Sequence, residues 1–250
     1  MIKEKTITEI QKLSKESGCD IDIQISLDGS CAETHDRMRG KTGNFKSVCK
    51  TIEKLVGLGY PPRINMTITN ENIDDVINTY ELVNRLSAKA FSFRAAICHG
   101  RSQDEIDKDK YRNILVHLLK NKQGHVRAFS QDPLHVPLQL EKLGITQSDL
   151  TSGSVWGGCS AGIASIYIDH TGNICPCPYL STIVLGNIKN DKVSSVWGKS
   201  KELNVLRNRN SLTGKCGDCQ FKHVCGGCRA NALGRGLDLM DTDPMCVHNS

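Results

Sequence analysis

Residues 21–97 hold three short apolar runs: IDIQISLDG (Ile21–Gly29), RINMTIT (Arg63–Thr69) and AFSFRAAI (Ala90–Ile97). In the first, Ile21, Ile23 and Ile25 alternate with polar residues, the period-two pattern of a strand, and Asp28-Gly29 reads as a turn. Two helical patterns lie between the runs. From Asn44 to Val56, residues Phe45, Val48, Cys49, Ile52, Leu55 and Val56 match the spacing of one helix face, and Gly57 and Gly59 stop it. Asn72 reads as the cap of a second helix whose apolar face is Ile73, Val76, Ile77, Tyr80 and Val83. Strand–helix–strand–helix–strand with short connections specifies an α/β parallel sheet with right-handed crossovers. Three strands cannot close a barrel, so an open sheet or part of a larger one is expected. Upstream, Thr6-Ile7-Thr8-Glu9 fits a capping box, Ile7, Ile10 and Leu13 share a face, and Gly18 is placed to end that helix.

The whole chain has 250 residues, enough for one core with a small appended domain. Hydrophobic residues at 38% and charged residues at 24% make it globular rather than disordered. No apolar run is long enough to span a membrane, and the charged start MIKEKTITEIQKL does not suit an export signal. A cytoplasmic location is expected. The formal charge of +5 is a weak basic bias, and 5% aromatics with no dense Lys/Arg run argue against a nucleic-acid partner.

Further along, residues 103–150 read as a polar-faced helix (Asp104–Lys120), an irregular connector containing QDPLHVPL (Gln131–Leu138), and a short helix near Leu138–Leu143. From Ser152 the composition turns to Gly and Cys. ASIYIDHTGNICPC (Ala164–Cys177) reads as a hairpin turning at His170–Asn173, and Ser194–Arg207 as a helix.

Twelve cysteines are present, four in the first 150 residues and eight in the last 100. Such a cluster in a cytosolic chain reads as metal binding rather than a disulfide framework. The pattern is Cys159-x12-Gly172-x4-Cys177, then Cys216-x2-Cys219-x5-Cys225-x2-Cys228, then Cys246. A C-x2-C turn presents two thiolates with backbone N–H groups free to point at the sulfurs, which suits zinc or an iron–sulfur cluster equally. Seven or eight ligands imply two centres, and the metals would supply much of the segment's folding energy. Cys49, on an apolar helix face, reads as a small core residue. The Arg and Lys of LRNRN (Leu206–Asn210) and GKCGDCQFK (Gly214–Lys222) read as a solvated face, with steering of an anionic substrate as the alternative.

The run from GGCSAGIASIYIDHTGNICPCPYL through KCGDCQFKHVCGGCRANAL to DTDPMC resembles the SPASM domain of radical S-adenosylmethionine enzymes, over residues 157–247. Cys order, Gly172, Gly186-Asn187, Trp197, C-G-G-C-R and Asp243-Pro244 carry the likeness. ISLDGSCAETHDRMRG (Ile25–Gly40) and the strand after it are similar to the fourth and fifth strands of those enzymes' partial barrel. The resemblance implies a partial TIM-like (β/α) barrel over 1–105, a helical connector over 106–154, and an auxiliary-cluster domain over 155–250. It implies two auxiliary iron–sulfur clusters of the four-iron type. Ligation would fall to Cys216, Cys219, Cys225 and Cys246 for the outer one, and to Cys159, Cys177 and Cys228 for the inner one. Cys175 is a substitute fourth inner ligand, an open iron is the alternative, and the x2 spacing between Cys225 and Cys228 leaves other partitions open. Ser26 and Arg39 match the family's contacts to the nucleoside and methionine parts of S-adenosylmethionine.

By the same resemblance the activity is that of an oxidoreductase or maturase acting on a peptide or tetrapyrrole-like substrate, with a reductant protein as a further partner. The family's C-x3-C-x2-C motif for the cluster that cleaves S-adenosylmethionine has no counterpart in the 250 residues. The expectation is therefore an N-terminally truncated form, which would use S-adenosylmethionine and a third four-iron cluster only if the other half of the barrel is supplied. The rival is a non-catalytic iron–sulfur or zinc module that relays electrons or binds a peptide for a partner.

Overall fold

Alternation along the central strands decides how the first unit packs. In β2 (Arg63–Ile68), Ile64, Met66 and Ile68 have no exposed surface, whereas Arg63, Asn65 and Thr67 are half-buried on the other face. The computed structural model describes residues 4–19, 21–98, 106–120, 125–144 and 158–248. Two compact units divide the chain: Met1–Ala96 with Asp109–Gln131, and Ile97–Lys108 with Asp132–Ser250.

The first unit is a four-stranded sheet in the order β1-β2-β3-β4, with β1 at Gln24–Ser26, β3 at Ala90–Ala95 and β4 at Arg127–Ser130. Every neighbouring pair is parallel, as the strand–helix alternation requires. The helices are α1 (Glu4–Ser17), α2 (Ala32–Arg39), α3 (Asn44–Gly57), α4 (Val76–Arg85) and α5 (Lys108–Lys120). Ile52, Leu55, Val76, Val83, Phe91, Phe93, Tyr111 and Leu115 join the β2 apolar row in the core. Each fully buried side chain of this size contributes about 1.5–3 kcal/mol.

The opposite face is polar. Register pairs Ser26 with Asn65 and Asn65 with Ser92, so three polar side chains lie in one row across the sheet. Ser92 Oγ donates to Asn65 Oδ1 (2.9 Å), and Gln131 Nε2 donates to Asn65 Oδ1 (2.8 Å) and Ser92 Oγ (3.1 Å).

Several local readings change. The first strand is only three residues long, and the helix read from Asp104 runs over Lys108–Lys120, with 99–105 outside the described residues. β4 comes from the segment read as an irregular connector. Tyr80 Oη donates to Val126 O (2.9 Å) and Val126 N to Asn84 Oδ1 (3.1 Å), tying the start of β4 to α4, a tertiary requirement that no local pattern encodes. Thr6 lies inside α1 rather than at its cap. Asn72 caps nothing. It accepts from Thr69 N (2.8 Å) and donates to Asp28 O (3.0 Å) and Thr67 O (2.9 Å), bridging two strand ends.

The second unit has a three-stranded antiparallel sheet, β5 (Tyr167–Ile168), β6 (Asn173–Cys175) and β7 (Gly186–Asn187), so the hairpin reading gains a third strand. The Asp169 carboxylate accepts from Thr171 and Asn173 and shapes the turn. The helix read over Ser194–Arg207 is two, α7 (Val193–Lys199) and α8 (Lys201–Arg207). Ser200 breaks it with extended backbone and caps α8, its Oγ accepting from Leu203 N (3.2 Å). Helices α6 (His135–Lys142), α9 (Gly214–Asp218) and α10 (Arg229–Gly234) complete the unit. Among the described residues no helix is long and apolar enough to cross a membrane.

Candidate functional site

The second unit keeps its short helices together through cysteines as much as through leucines. None of the twelve cysteines is in a disulfide. Cys216 sits on α9 and Cys219 follows its last turn, while Cys225 lies just after a turn begun at Phe221. Together with Cys246 these four line one recess, floored by Gly226 and Gly227 and edged by Lys215, Asp243 and His248. Cys159, Cys177 and Cys228 form a second group, packed with Ile97, Ala161, Leu180 and Ala230. Backbone pairing of Cys159 N with Cys225 O (3.0 Å) brings the two groups side by side.

Cys175 is fully buried in β6, its thiol 3.8 Å from Ser181 O and close enough to Cys177 for their charges to interact. Cys177 lies just beyond the strand and caps a short 3-10 turn. The remaining cysteines, Cys19, Cys31, Cys49 and Cys98, lie outside these groups.

Backbone donors meet the sulfurs, as the C-x2-C turns require. Asp243 N lies 3.3 Å from Cys216 Sγ, Phe221 N 3.4 Å from Cys219 Sγ, and Tyr179 N 3.3 Å from Cys177 Sγ. Such donors stabilise thiolates. Asp243, itself 1% exposed, ties the ends of the site together: its carboxylate accepts from Cys228 N (2.7 Å) and Met245 N (2.9 Å).

Burial pushes the Cys219, Cys225, Cys228 and Cys246 thiols up from their usual range, Cys225 and Cys228 furthest. Four such thiols ionise together only beside a cationic centre. The donor set is all thiolate, the kind that both zinc sites and iron–sulfur cubes take.

In the first unit Ser26 ends β1 and Arg39 ends α2, the helix that occupies the H-D-x-x-R-G segment. Between them in sequence lies Asp28, only 3% exposed rather than at an open turn. Arg39 Nη2 meets Asp28 Oδ2 at 2.6 Å, and Thr67 N donates to Asp28 Oδ1 (2.9 Å). Burial raises the Asp28 carboxyl, with the Thr67 N–H and the Arg39 and His35 charges pulling it back. His35, fully buried on α2, accepts from Asp28 N through Nδ1 (3.0 Å), and burial pushes its pKa down. A strand-end hydroxyl and a guanidinium steadied by a buried carboxylate are what a carboxylate- and ribose-bearing ligand needs.

Three site residues escaped the sequence reading. Asp28 passed for a turn former. Arg207 and Arg209 passed for a solvated face, yet Arg207 stacks over the Trp197 ring at 4.5 Å and donates to Gly162 O, and Arg209 is buried. Charge alone cannot distinguish a solvated arginine from one covered by tertiary packing.

Comparison with known proteins places these observations. Residues 159–220 match the SPASM family, described as an iron–sulfur cluster-binding domain. The AdoMet-dependent heme synthase of Methanosarcina barkeri is 31% identical over 235 residues, 90% of this chain and 67% of that protein. The mycofactocin maturase MftC of Mycobacterium ulcerans is 29% identical, over 91% of this chain and 61% of that one. Streptococcus suis SuiB, solved with its precursor peptide SuiA, superposes with a TM-score of 0.68 at 17% identity, over 89% of this chain and 52% of SuiB, a likeness of fold. The chain belongs to the radical S-adenosylmethionine enzymes that carry a SPASM domain. It spans about 60 to 67% of the length of these curated relatives.

Proposed function

We propose that this chain supplies part of the barrel and the auxiliary-cluster domain of a cytoplasmic radical S-adenosylmethionine oxidoreductase or maturase. Its substrate is a peptide or a tetrapyrrole-like molecule, and a reductant protein feeds it electrons. The observation that carries this reading is the grouping of thiols: Cys216, Cys219, Cys225 and Cys246 around one recess, and Cys159, Cys177 and Cys228 in one packed group beside it. They would hold two four-iron clusters, the second with three protein thiolates.

When bound, S-adenosylmethionine with its own cluster supplies a hydrogen-abstracting radical, and the auxiliary clusters supply one-electron acceptors. The residues of this chain bind and orient. Arg39, held by Asp28, would grip the methionine carboxylate, and Ser26 would hydrogen-bond to the ribose side. The polar row of Ser26, Asn65, Ser92 and Gln131 supplies further hydrogen-bonding groups on the same sheet face. An Arg39 held in place by the buried Asp28 carboxylate favours the enzyme over the electron-relay module, which has no need of it.

Anaerobic purification with iron, sulfide and zinc analysis tests the proposal. About eight iron and eight sulfide per chain, four of each per cluster, are expected, with a broad visible charge-transfer band. Stoichiometric zinc and a colourless protein would overturn it.

A further inference from the structure

Two arginines in the second unit are buried beside the cysteines without a direct ion pair, the nearby Asp243 carboxylate feeling the Arg229 charge only at longer range. Arg209 is 7% exposed and Arg229 has no exposed surface. Arg229 donates through Nη1 to Leu239 O (3.1 Å) and Asp241 O, and its Nη2 lies 3.6 Å from Cys216 Sγ. Arg209 donates through Nη2 to Cys159 O (2.8 Å) and through Nη1 to Gly226 O (3.3 Å). Both Nε atoms are buried without an acceptor, and among the described residues neither guanidinium has a carboxylate within ion-pair distance. A buried, permanently charged group in this state is strongly disfavoured unless an anion sits close by.

The chain makes deliberate room for both. Gly226 and Gly227, between Cys225 and Cys228, have φ of +68° and +56°. A Cβ on Gly226 would collide with the Arg209 guanidinium, and one on Gly227 would stand 2.6 Å from Arg229 Nη2 and 3.1 Å from Cys216 Sγ. The Gly-Gly pair therefore leaves room for both guanidinium groups against the cysteine loop.

We infer that Arg209 and Arg229 are counter-charges for the cysteine-bound clusters and raise their reduction potentials. This rests on the iron–sulfur reading above. Adding one electron makes a thiolate-ligated cluster more negative, so a fixed neighbouring cation favours the reduced form. Arg229, against Cys216, acts on the outer cluster. Arg209 bridges the Cys159 and Gly226 carbonyls and acts on both. They are positioning residues and take no part in bond making.

The test is EPR-monitored potentiometry of the anaerobically purified full chain, with dithionite as the one-electron reductant. Arg229→Gln and Arg209→Gln are each expected to retain iron and to lower a midpoint potential. The expected size is at least tenfold in the reduced-to-oxidised ratio at fixed potential, which is 59 mV for a one-electron couple. Arg229→Lys should recover most of the shift. Full iron with unchanged midpoints in both Gln variants overturns the inference and leaves the cluster reading standing. A wild-type chain without iron overturns both. If Arg229→Gln sheds its iron, Arg209→Gln, whose guanidinium touches carbonyls rather than sulfur, decides the matter alone.

Discussion

Arg39 Nη2 lies 2.6 Å from Asp28 Oδ2, and the two ends of this pair differ in their access to water: the Arg39 side chain is 35% exposed, the Asp28 side chain 4%. The asymmetry sets what each deletion does. Arg39→Met strands a buried carboxylate and is expected to cost about 2–3 kcal/mol, whereas Asp28→Asn leaves an arginine that can turn to solvent and costs about 1 kcal/mol. Urea unfolding of both single variants and the double variant measures the coupling. A coupling energy near zero would show that the pair contributes nothing beyond packing.

His35 gives the first unit a pH dependence. Burial is the main cause of its lowered pKa, opposed by Asp28 and Asp36 and assisted by Arg39. The folded state therefore binds its proton less readily than the unfolded chain, and stability rises with pH until the unfolded pKa of about 6.5 is passed. Below that, each step down in pH is expected to erode stability as the unfolded chain takes up the proton. Asparagine has no ring nitrogen to protonate, so His35→Asn should flatten the slope between pH 5 and about 6.5 in chemical denaturation. An unchanged slope would assign it to other groups.

The thiol groups separate by iron content. Cys219→Ser and Cys225→Ser should each remove about four iron per chain, and Cys159→Ser and Cys177→Ser a different four. Cys175→Ser, whose thiol faces Ser181 O, should leave iron unchanged. Loss of iron on changing Cys175 would make it the fourth inner ligand.

Asp243 should behave as a clasp. Asp243→Ala leaves the buried N–H groups of Cys228 and Met245 without acceptors and is expected to cost about 2–3 kcal/mol and to speed loss of iron to a chelator. Asp243→Asn keeps one acceptor oxygen and should fall between the two. Chelation kinetics followed by absorbance would read this directly.

The parallel sheet was legible because Ile64, Met66 and Ile68 alternate within a single strand and Asn44–Val56 keeps its helical period. β4 was not, because Arg127–Ser130 is four residues long and its place is set by Tyr80 and Asn84, which lie more than forty residues away. Among site residues, cysteine spacing marked the thiols that the structure groups together, while the part played by Cys175 depends on where β6 ends and on its burial, which spacing does not encode. Asp28, Arg209 and Arg229 acquire their meaning from burial, which a lone sequence states only through tertiary partners.

The row formed by Ser26, Asn65 and Ser92 also guards the sheet against mispairing. A slip of β3 by one residue against β2 would carry Phe93 to the polar side and turn Ser92 toward the helices, losing the bond that Asn65 Oδ1 accepts from Ser92. A slip of two would keep the faces and still break that bond. Strand alignment is thus encoded twice, once by the apolar row and once by the amide that reads its neighbours, so the face open to ligands cannot drift while the core stays packed.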